Sequence, residues 1–315
     1  MPVRSIDTLP STALRRFAWG VLVYFIAVIL WGALVRATGS GAGCGEHWPL
    51  CNGSVLQHSA SVETMIEFTH RITSGLSLLA VLALLVWSLR GTVAGHLARW
   101  TAAATVCLTL MEAVLGALLV KLGLTAQSQS PLRPGFLALH LANTLLLLAA
   151  LTLTAHLLNR REGYTWRSIR LLAPFGALAG VLAMMLVGVT GSLAALGDTL
   201  FPAASLGAAM RQDLSAASVW LLRWRWAHPA LAVAAGILLL WILLRTLLDG
   251  RNSEHRPLFR QVMALLACVY LLGLLDVLLL APVWVQVAHL AAAECLWVSL
   301  VALTARLTLL PDGER

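Results

Sequence analysis

Eight long apolar stretches divide the chain, and they constrain its fold more than any other feature. A helix needs about 20 mainly apolar residues to cross a bilayer. Only 11% of the 315 residues are charged, against about 25% in a typical soluble domain. This shortage of charge excludes an ordinary soluble enzyme, a disordered protein and a disulfide-rich secreted module. The sequence predicts an all-α polytopic membrane protein with spans at 17–35, 66–89, 100–122, 136–158, 171–193, 219–247, 260–281 and 284–308.

The Lys and Arg side chains indicate how these spans are oriented. If the N-terminus is cytoplasmic, 15 of the 22 basic residues fall in cytoplasmic segments and 7 in external ones, as the positive-inside rule requires. The formal net charge of +8 therefore reflects topology, and we expect no nucleic-acid partner. Met1 to Pro10 show no pattern of a cleavable signal, so we expect the first span to be retained and both termini to be cytoplasmic.

The two halves of the chain resemble each other. His70 and His228 open spans two and six, 158 residues apart, while His140 and His289 open spans four and eight, 149 residues apart. This spacing predicts one four-helix unit that occurs twice, as two pseudo-symmetric bundles related by an axis along the membrane normal. The predicted halves are residues 1–165 and 166–315.

Two further segments complete the predicted organisation. Span one ends in Thr38-Gly39-Ser40, which we align with Thr190-Gly191-Ser192 at the predicted end of span five. The loop after span five is expected to run from Leu193 to Trp220. Ala281-Pro282-Val283 predicts a tight turn between the last two spans, because Pro can begin a helix but not continue one.

Four of the nine histidines share one predicted depth, near the outer ends of spans that enter from outside. Polar groups inside spans are costly and tend to be functional. Two histidines on facing helices can supply both axial ligands of a haem, so His70 with His140 and His228 with His289 predict two haem sites. Two alternatives stay open: hydrogen bonds to neighbouring helices, and zinc, whose usual cysteine or carboxylate ligands the Leu- and Ala-rich surroundings supply poorly.

The first external loop and the start of span two carry further candidates. Cys44 and Cys51 lie on the side of the membrane where a disulfide can persist, as a structural staple or as a redox-active pair beside a haem. Glu67 lies three residues before His70, on the same helical face, as a helix N-terminal charge or a site carboxylate. The segment before His228 has no equivalent carboxylate. This asymmetry predicts a catalytic haem in the N-terminal half and an electron-carrying haem in the other.

The remaining polar residues inside the spans have no partner that the sequence reveals. We interpret three acidic residues as polar groups at helix interfaces, with a proton route as the alternative: Glu112, Asp276 and Glu294. We interpret three cysteines as small apolar packing residues: Cys107, Cys268 and Cys295.

The combined pattern resembles the haem A synthase family, membrane enzymes that convert haem O to haem A for haem–copper terminal oxidases. The resemblance covers nearly the whole chain. In the first half the motifs are Thr38-Gly39-Ser40-Gly41 with Cys44 and Trp48-Pro49-Leu50-Cys51, then Glu67-Phe68-Thr69-His70-Arg71, and Ala138-Leu139-His140. In the second half they are Gly197-Asp198-Thr199-Leu200-Phe201-Pro202, Ala227-His228-Pro229, and Leu280-Ala281-Pro282-Val283 through His289.

The resemblance implies a haem b held by His228 and His289, and the substrate haem O bound at His70 and His140. It implies oxidation of one haem methyl to a formyl group through successive hydroxylations with oxygen from water. Glu67 would accept protons or stabilise positive charge on the methyl carbon. Cys44 and Cys51, as a disulfide-forming pair, would pass electrons or shape the substrate site. Some family members carry a second cysteine pair after span five, which this chain lacks.

The resemblance also implies a setting. Haem O synthase and the assembly of a terminal oxidase would be the functional partners, with membrane lipid around the spans, in the plasma (inner) membrane of a prokaryote; a homo-oligomer is left open. The competing function is a non-catalytic di-haem b-type membrane electron carrier, which needs the same four histidines but gives no role to Glu67 or the external cysteines. A transporter would need broken helices around a charged midplane site, which the sequence does not indicate.

Overall fold

The fold is all-helical over the part of the chain that the computed structural model describes, namely residues 10–54, 61–160, 164–165, 175–248 and 256–309. The helices are α1 (Thr12–Ala37), α2 (Val62–Gly91), α3 (Leu97–Lys121), α4 (Leu132–Leu158), α5 (Phe175–Leu200), α6 (Leu206–Leu214), α7 (Trp220–Arg223), α8 (Ala227–Leu248), α9 (Arg256–Leu278) and α10 (Val283–Thr308).

Eight segments of this described part are long and apolar enough to span a membrane, which confirms the predicted number of spans and a multi-pass membrane protein. Helix starts carry the expected caps. Ser11 accepts a hydrogen bond from Leu14 N–H at 3.2 Å, and Ser61 accepts one from Thr64 N–H at 3.2 Å. The tight turn between α9 and α10 is also present, with Leu280 and Ala281 in the left-handed region at φ 62° and 56°.

The fifth span is longer at its C-terminal end than the sequence predicts. The prediction placed its end at residue 193, whereas α5 continues to Leu200 and Thr190-Gly191-Ser192 lies inside the helix. The reason is local: the apolar residues after Ser192 continue the helix, which ends two residues before Pro202. The alignment of Thr190-Gly191-Ser192 with the end of span one was therefore wrong, and part of the expected loop is the helix α6.

The sixth span is broken where the sequence predicts one continuous helix. α7 ends at Arg223, and α8 begins at Ala227 after a turn through Trp224-Arg225-Trp226. Pro229 lacks an N–H group, so it is tolerated in the first turn of a new helix but not within a continuous one. His228 therefore lies in the first turn of α8.

The spanning helices associate in two groups. In the first group, α1 and α3 each pack against both α2 and α4. In the second group, α5 and α9 each pack against both α8 and α10. This is consistent with the predicted pair of four-helix bundles. The division at residues 165 and 166 stays a prediction, because 166–174 lie outside the described residues. The two groups meet where α4 and α5 pack together and where Trp297 Nε1 of α10 donates to Leu145 O of α4 at 2.9 Å.

One arginine joins the two groups at the end of the molecule where α1, α3, α5 and α9 terminate, called here the histidine end. Arg36 Nη1 donates to Ala195 O at 2.8 Å and to Thr199 Oγ1 at 2.9 Å, both on α5. Its Nη2 donates to Gln286 Oε1 on α10 at 2.9 Å. A guanidinium suits this position because its planar fork carries several donors in fixed directions. The last turn of α1 is thus tied to two helices of the second group.

Candidate functional site: two histidine pairs at one end of the helices

All four candidate histidines lie at the histidine end. His70 and His140 are each eight residues after the first residue of their helices, α2 and α4. His228 is in the first turn of α8, and His289 is six residues after the start of α10. The up-and-down path of the chain explains this, because successive antiparallel spans alternate direction and all four helices begin at the same end. The sequence alone predicts this shared level.

His228 and His289 face each other across the second group of helices. Their ring centroids are 6.5 Å apart, and the ring planes are nearly perpendicular at 89°. His228 Nδ1 lies 3.1 Å from Val187 O, so an N–H there donates to the carbonyl and leaves Nε2 free to bind a metal. A metal–nitrogen bond of about 2.0–2.1 Å on each side, added to the half-width of each ring, accounts for the separation. The separation therefore suits one metal centre that both imidazoles would hold.

His70 and His140 form the corresponding pair of the first group. They lie within electrostatic range of each other. The Nδ1 atoms of both rings are buried and, within the described residues, make no hydrogen bond that satisfies distance and angle. Imidazoles with buried Nδ1 atoms, on two helices of one group and in apolar surroundings, suit an apolar ligand with a metal at its centre better than a bare hydrated ion. Over the described ranges no group of three or more His, Cys, Asp or Glu side chains could hold a metal ion by itself.

Three of the four imidazoles pack against a glycine of a neighbouring helix. A Cβ atom at Gly32 would lie 2.9 Å from His70 Cε1, and one at Gly191 would lie 2.9 Å from His228 Cε1. On α9, a Cβ atom at Gly273 would lie 3.0 Å from His289 Cε1. Gly32 and Gly191, not the Thr-Gly-Ser segments, are thus equivalent in the two halves. The sequence signal is their separation of 159 residues, close to the 158 between the histidines they contact.

Replacing Gly191 with alanine should displace the His228 ring and weaken binding of the ligand held by this pair. Real Cβ atoms essentially never approach another heavy atom as closely as 2.9 Å, so the side chain must move while the helix stays intact. We expect affinity to fall at least about tenfold, as for other residues that orient a metal ligand. Gly116→Ala is the matched control, because a Cβ there meets nothing within 4 Å. Equal metalloporphyrin content in the two purified variants would contradict the assignment.

Glu67 is buried at the histidine end and holds the first loop. The residue is 3% exposed, and its Oε2 accepts the backbone N–H of Cys44 at 2.8 Å. Its Oε1 accepts from Arg71 Nη2 at 2.5 Å and from Arg71 Nε at 3.1 Å. Arg71 Nη1 in turn donates to the carbonyls of His47 and Leu50, the latter at 2.6 Å. Several N–H donors converge on this carboxylate, an arrangement that stabilises its negative charge. Arg71 is a site residue that sequence reasoning used only as part of a motif.

The loop that Glu67 holds is closed by a disulfide. Cys44 and Cys51 are bonded, with their Cα atoms 4.4 Å apart, and both residues are 0% exposed. Gly43 brings this loop against the start of α2, where a Cβ would lie 2.5 Å from the backbone of Glu63. The contact is completed by Thr64 Oγ1, which donates to Gly43 O at 2.7 Å. The glycine is therefore required by the close approach of loop and helix.

The position three residues before the histidine carries opposite charges in the two halves. Glu67 precedes His70, whereas Arg225 precedes His228. Arg225 is bound by two carboxylates, Asp198 at the end of α5 at 2.8 Å and Asp213 on α6 at 2.7 Å. These contacts give a role to Asp198 and to the turn that breaks the sixth span. The second half thus has a buried cation where the first half has a buried anion.

The structure finds partners for one acidic residue inside the spans and corrects the interpretation of three cysteines. Glu112, which the sequence leaves without a partner, contacts His140, Asn143 and Thr144 of α4. Asp276 Oδ1 and both carboxyl oxygens of Glu294 are buried and have no hydrogen-bond partner among the described residues. The interpretation of three cysteines as small apolar packing residues was wrong, because all three are exposed, at Cys107, Cys268 and Cys295. Cysteine is apolar enough to face lipid, so burial is not required.

Together these features define a polytopic helical membrane protein with two inward-facing histidine pairs and a disulfide-closed loop at one end. Residues 15–301 match the model of the family described as cytochrome oxidase assembly protein. The chain belongs to this family.

Individual relatives support the same membership. A protein of Thermus thermophilus named protoheme IX farnesyltransferase is 42% identical over 297 residues, which cover 92% of this chain and 48% of that protein. The heme A synthase of Bacillus cereus is 30% identical over 242 residues, or 74% of this chain and 72% of that protein. The heme A synthase of Bacillus licheniformis is 38% identical over 118 residues, or 37% of this chain and 38% of that protein. The chain spans about half the length of its Thermus relatives.

Proposed function

We propose that this protein is a haem A synthase, an oxidoreductase that converts a methyl group of haem O to the formyl group of haem A. The observation that carries the proposal is the difference between two otherwise matching histidine pairs. Among the described residues, only the first pair has a buried carboxylate, Glu67, three residues before its histidine and hydrogen-bonded to a disulfide-closed loop. An electron carrier with two equivalent haems has no need of that arrangement. Relatives named heme A synthase, one of them matched over 74% of this chain, support the same function.

The two pairs would have different ligands. His70 and His140 would bind the substrate haem O, and His228 with His289 would hold a resident haem b. The 6.5 Å separation of the second pair and the apolar, partly buried setting of both support binding of a haem iron by each pair. When bound, the haem b would supply one-electron redox chemistry for carrying electrons away from the substrate site. Its histidine His228 is pre-oriented by the carbonyl of Val187, which selects the tautomer with Nε2 unprotonated.

Glu67 would act on the substrate methyl. Conversion of a methyl to a formyl group takes its oxygen from water and releases electrons and protons, and positive charge develops on the carbon as electrons leave. A fixed negative charge in a dry site stabilises such charge without reorganisation. Arg71 and the Cys44 N–H hold the Glu67 carboxylate in place. These contacts support charge stabilisation over proton acceptance, because protonating the carboxylate would weaken the contacts that hold the loop.

The disulfide would shape this site. Cys44 and Cys51 are fully buried, and thiol–disulfide exchange needs access of the attacking thiolate to a sulfur. The backbone of Cys44 also donates directly to the Glu67 carboxylate. We therefore favour a staple that fixes Glu67 over a pair that passes electrons.

The setting would be the plasma membrane of a prokaryote, with both termini cytoplasmic and the histidine pairs near the outer face. The positive-inside distribution of Lys and Arg supports this orientation. A haem O synthase would supply the substrate, and assembly of a haem–copper oxidase would consume the product. The name of the Thermus relative describes farnesyl transfer to protohaem IX, the class of reaction that yields a farnesylated haem.

Pigment analysis tests this function against the alternative of a non-catalytic di-haem carrier. The full chain is co-expressed with a haem O synthase in a bacterial host that makes no haem A, and extracted haems are separated by chromatography. We expect haem A to appear only when both proteins are present. Accumulation of haem O without haem A, with haem b still bound to the purified protein, would identify an electron carrier instead.

A further inference from the structure

Glu112 places a carboxylate directly behind one histidine of the first pair. It lies on α3, and its Oε1 is 3.3 Å from His140 Nδ1 on α4. The two side chains are 22% and 30% exposed, so water has limited access to the contact. The separation suits an N–H···O hydrogen bond once the ring turns its N–H toward the oxygen. His140 Nδ1 has no other partner in the described part of the chain.

Two neighbours of His140 fix the position of this carboxylate. Asn143 Nδ2 donates to Glu112 Oε2 and also to Leu108 O at 2.9 Å, so both of its N–H groups hold α3. Thr144 Oγ1 lies 2.5 Å from Glu112 Oε1 and donates to it. Asn143 and Thr144 follow His140 by three and four residues, which places all three on one face of α4. A carboxylate inside a span with donors on both oxygens is held in one orientation.

In the described part of the second half, the corresponding positions beside His289 carry no carboxylate, amide or hydroxyl side chain. The residues three and four after His289 are Ala292 and Ala293. Glu112 is nine residues before the end of α3, and the residue nine before the end of α9 is Val269, whose main chain lies beside the His289 ring. The same level of the repeat therefore has a polar triad in the first half and apolar side chains in the second.

We propose that Glu112 is a positioning residue for His140 that sets the electron donation of this histidine to the iron of the substrate haem. An imidazole that donates its Nδ1–H to a carboxylate binds metal through a more basic Nε2 and keeps one ring orientation. Stronger donation stabilises the ferric over the ferrous state. The haem bound at the substrate site would thus have a lower reduction potential than it would have if the hydrogen-bond partner of His140 were neutral. This inference rests on the proposed binding of haem O at His70 and His140.

The test is a redox titration of the purified full chain in a Glu67→Gln background, which should retain haem O without converting it, after co-expression with a haem O synthase. Glu112→Gln keeps the shape and the contacts of an amide oxygen but removes the charge. At a fixed potential we expect the ferric-to-ferrous ratio of the N-terminal haem to fall about tenfold, which is an upward shift of about 59 mV for a one-electron couple. The ferric EPR spectrum of the same haem should change, and Glu112→Asp should restore part of the shift.

Two further variants distinguish a failure of the role proposed for Glu112 from a failure of the proposed haem-ligand assignment. Glu294→Gln makes the same chemical change at a buried carboxyl of the second group and should leave the potential of the N-terminal haem unchanged. His140→Ala should remove the N-terminal haem altogether; if it does not, the ligand assignment of the proposed function is wrong. If His140→Ala removes the haem but Glu112→Gln leaves its potential and EPR spectrum as in the Glu67→Gln parent, the role proposed for Glu112 is overturned.

Discussion

Replacement of His228 with alanine is expected to abolish binding of the haem proposed for the C-terminal pair, the largest single effect that we predict. On the proposed assignment the imidazole would be one of two iron ligands, and its Nδ1 already lies 3.1 Å from Val187 O. Loss of one ligand leaves His289 facing a buried space that an alanine side chain cannot fill. The measurement is the low-spin haem spectrum of purified protein from cells that make haem b alone, where we expect the signal of this pair to disappear.

The matched control is His156→Ala. His156 is also buried, but it lies on α4 sixteen residues beyond His140, about 24 Å along the helix and away from the histidine end. It therefore reports the cost of losing a buried imidazole without changing either pair. An unaltered haem spectrum in His228→Ala would rule out the pairing of His228 with His289.

The second large effect is expected for Glu67→Gln, which should retain both haems and lose turnover. Glutamine keeps an oxygen that can accept the Cys44 N–H, but it removes the negative charge. Removing one group that stabilises charge in a transition state costs about 10²–10³-fold in rate. The measurement is haem A formed per protein under co-expression with haem O synthase, with the haem O content of the protein determined in parallel.

Thr64→Val serves as the control for this prediction. Thr64 holds the same loop from the same helix through Gly43 O, but it carries no charge. Its loss should loosen the loop and leave most of the turnover. If both variants lose turnover equally, Glu67 acts only by holding the loop. If neither does, Glu67 has no part in the reaction.

The sequence predicts the number of spans correctly because each is a long run of apolar residues, a local property. The four histidines and Glu67 are likewise visible, since polar residues near span ends are rare in such a chain. Which residues of the two halves are equivalent was harder to predict. Thr38-Gly39-Ser40 and Thr190-Gly191-Ser192 have the same sequence. The packing of His70 on Gly32 and of His228 on Gly191 instead shows that these two glycines are the equivalent residues.

The partners of the charged residues could not be predicted. Glu112 contacts side chains 28 to 32 positions away on the next helix, and Arg225 binds Asp198 from 27 positions away. Such pairs depend on how two helices are rotated against each other. The available signal in the sequence was a carboxylate inside one span, Glu112, together with Asn143 and Thr144 one turn after a histidine in the next span.

The sequence by itself therefore determined that this is a membrane protein of eight spans with four histidines at one end, because bilayer thickness and helix rise convert apolar length directly into crossings. Only the tertiary structure decided what surrounds each histidine: glycines that make room for three imidazoles, and a carboxylate, held by Asn143 and Thr144, behind the fourth. The physical reason is that apolar length is a property of one segment. Hydrogen bonds and close contacts between helices depend on rotation and register, which are set by the packing of the whole bundle.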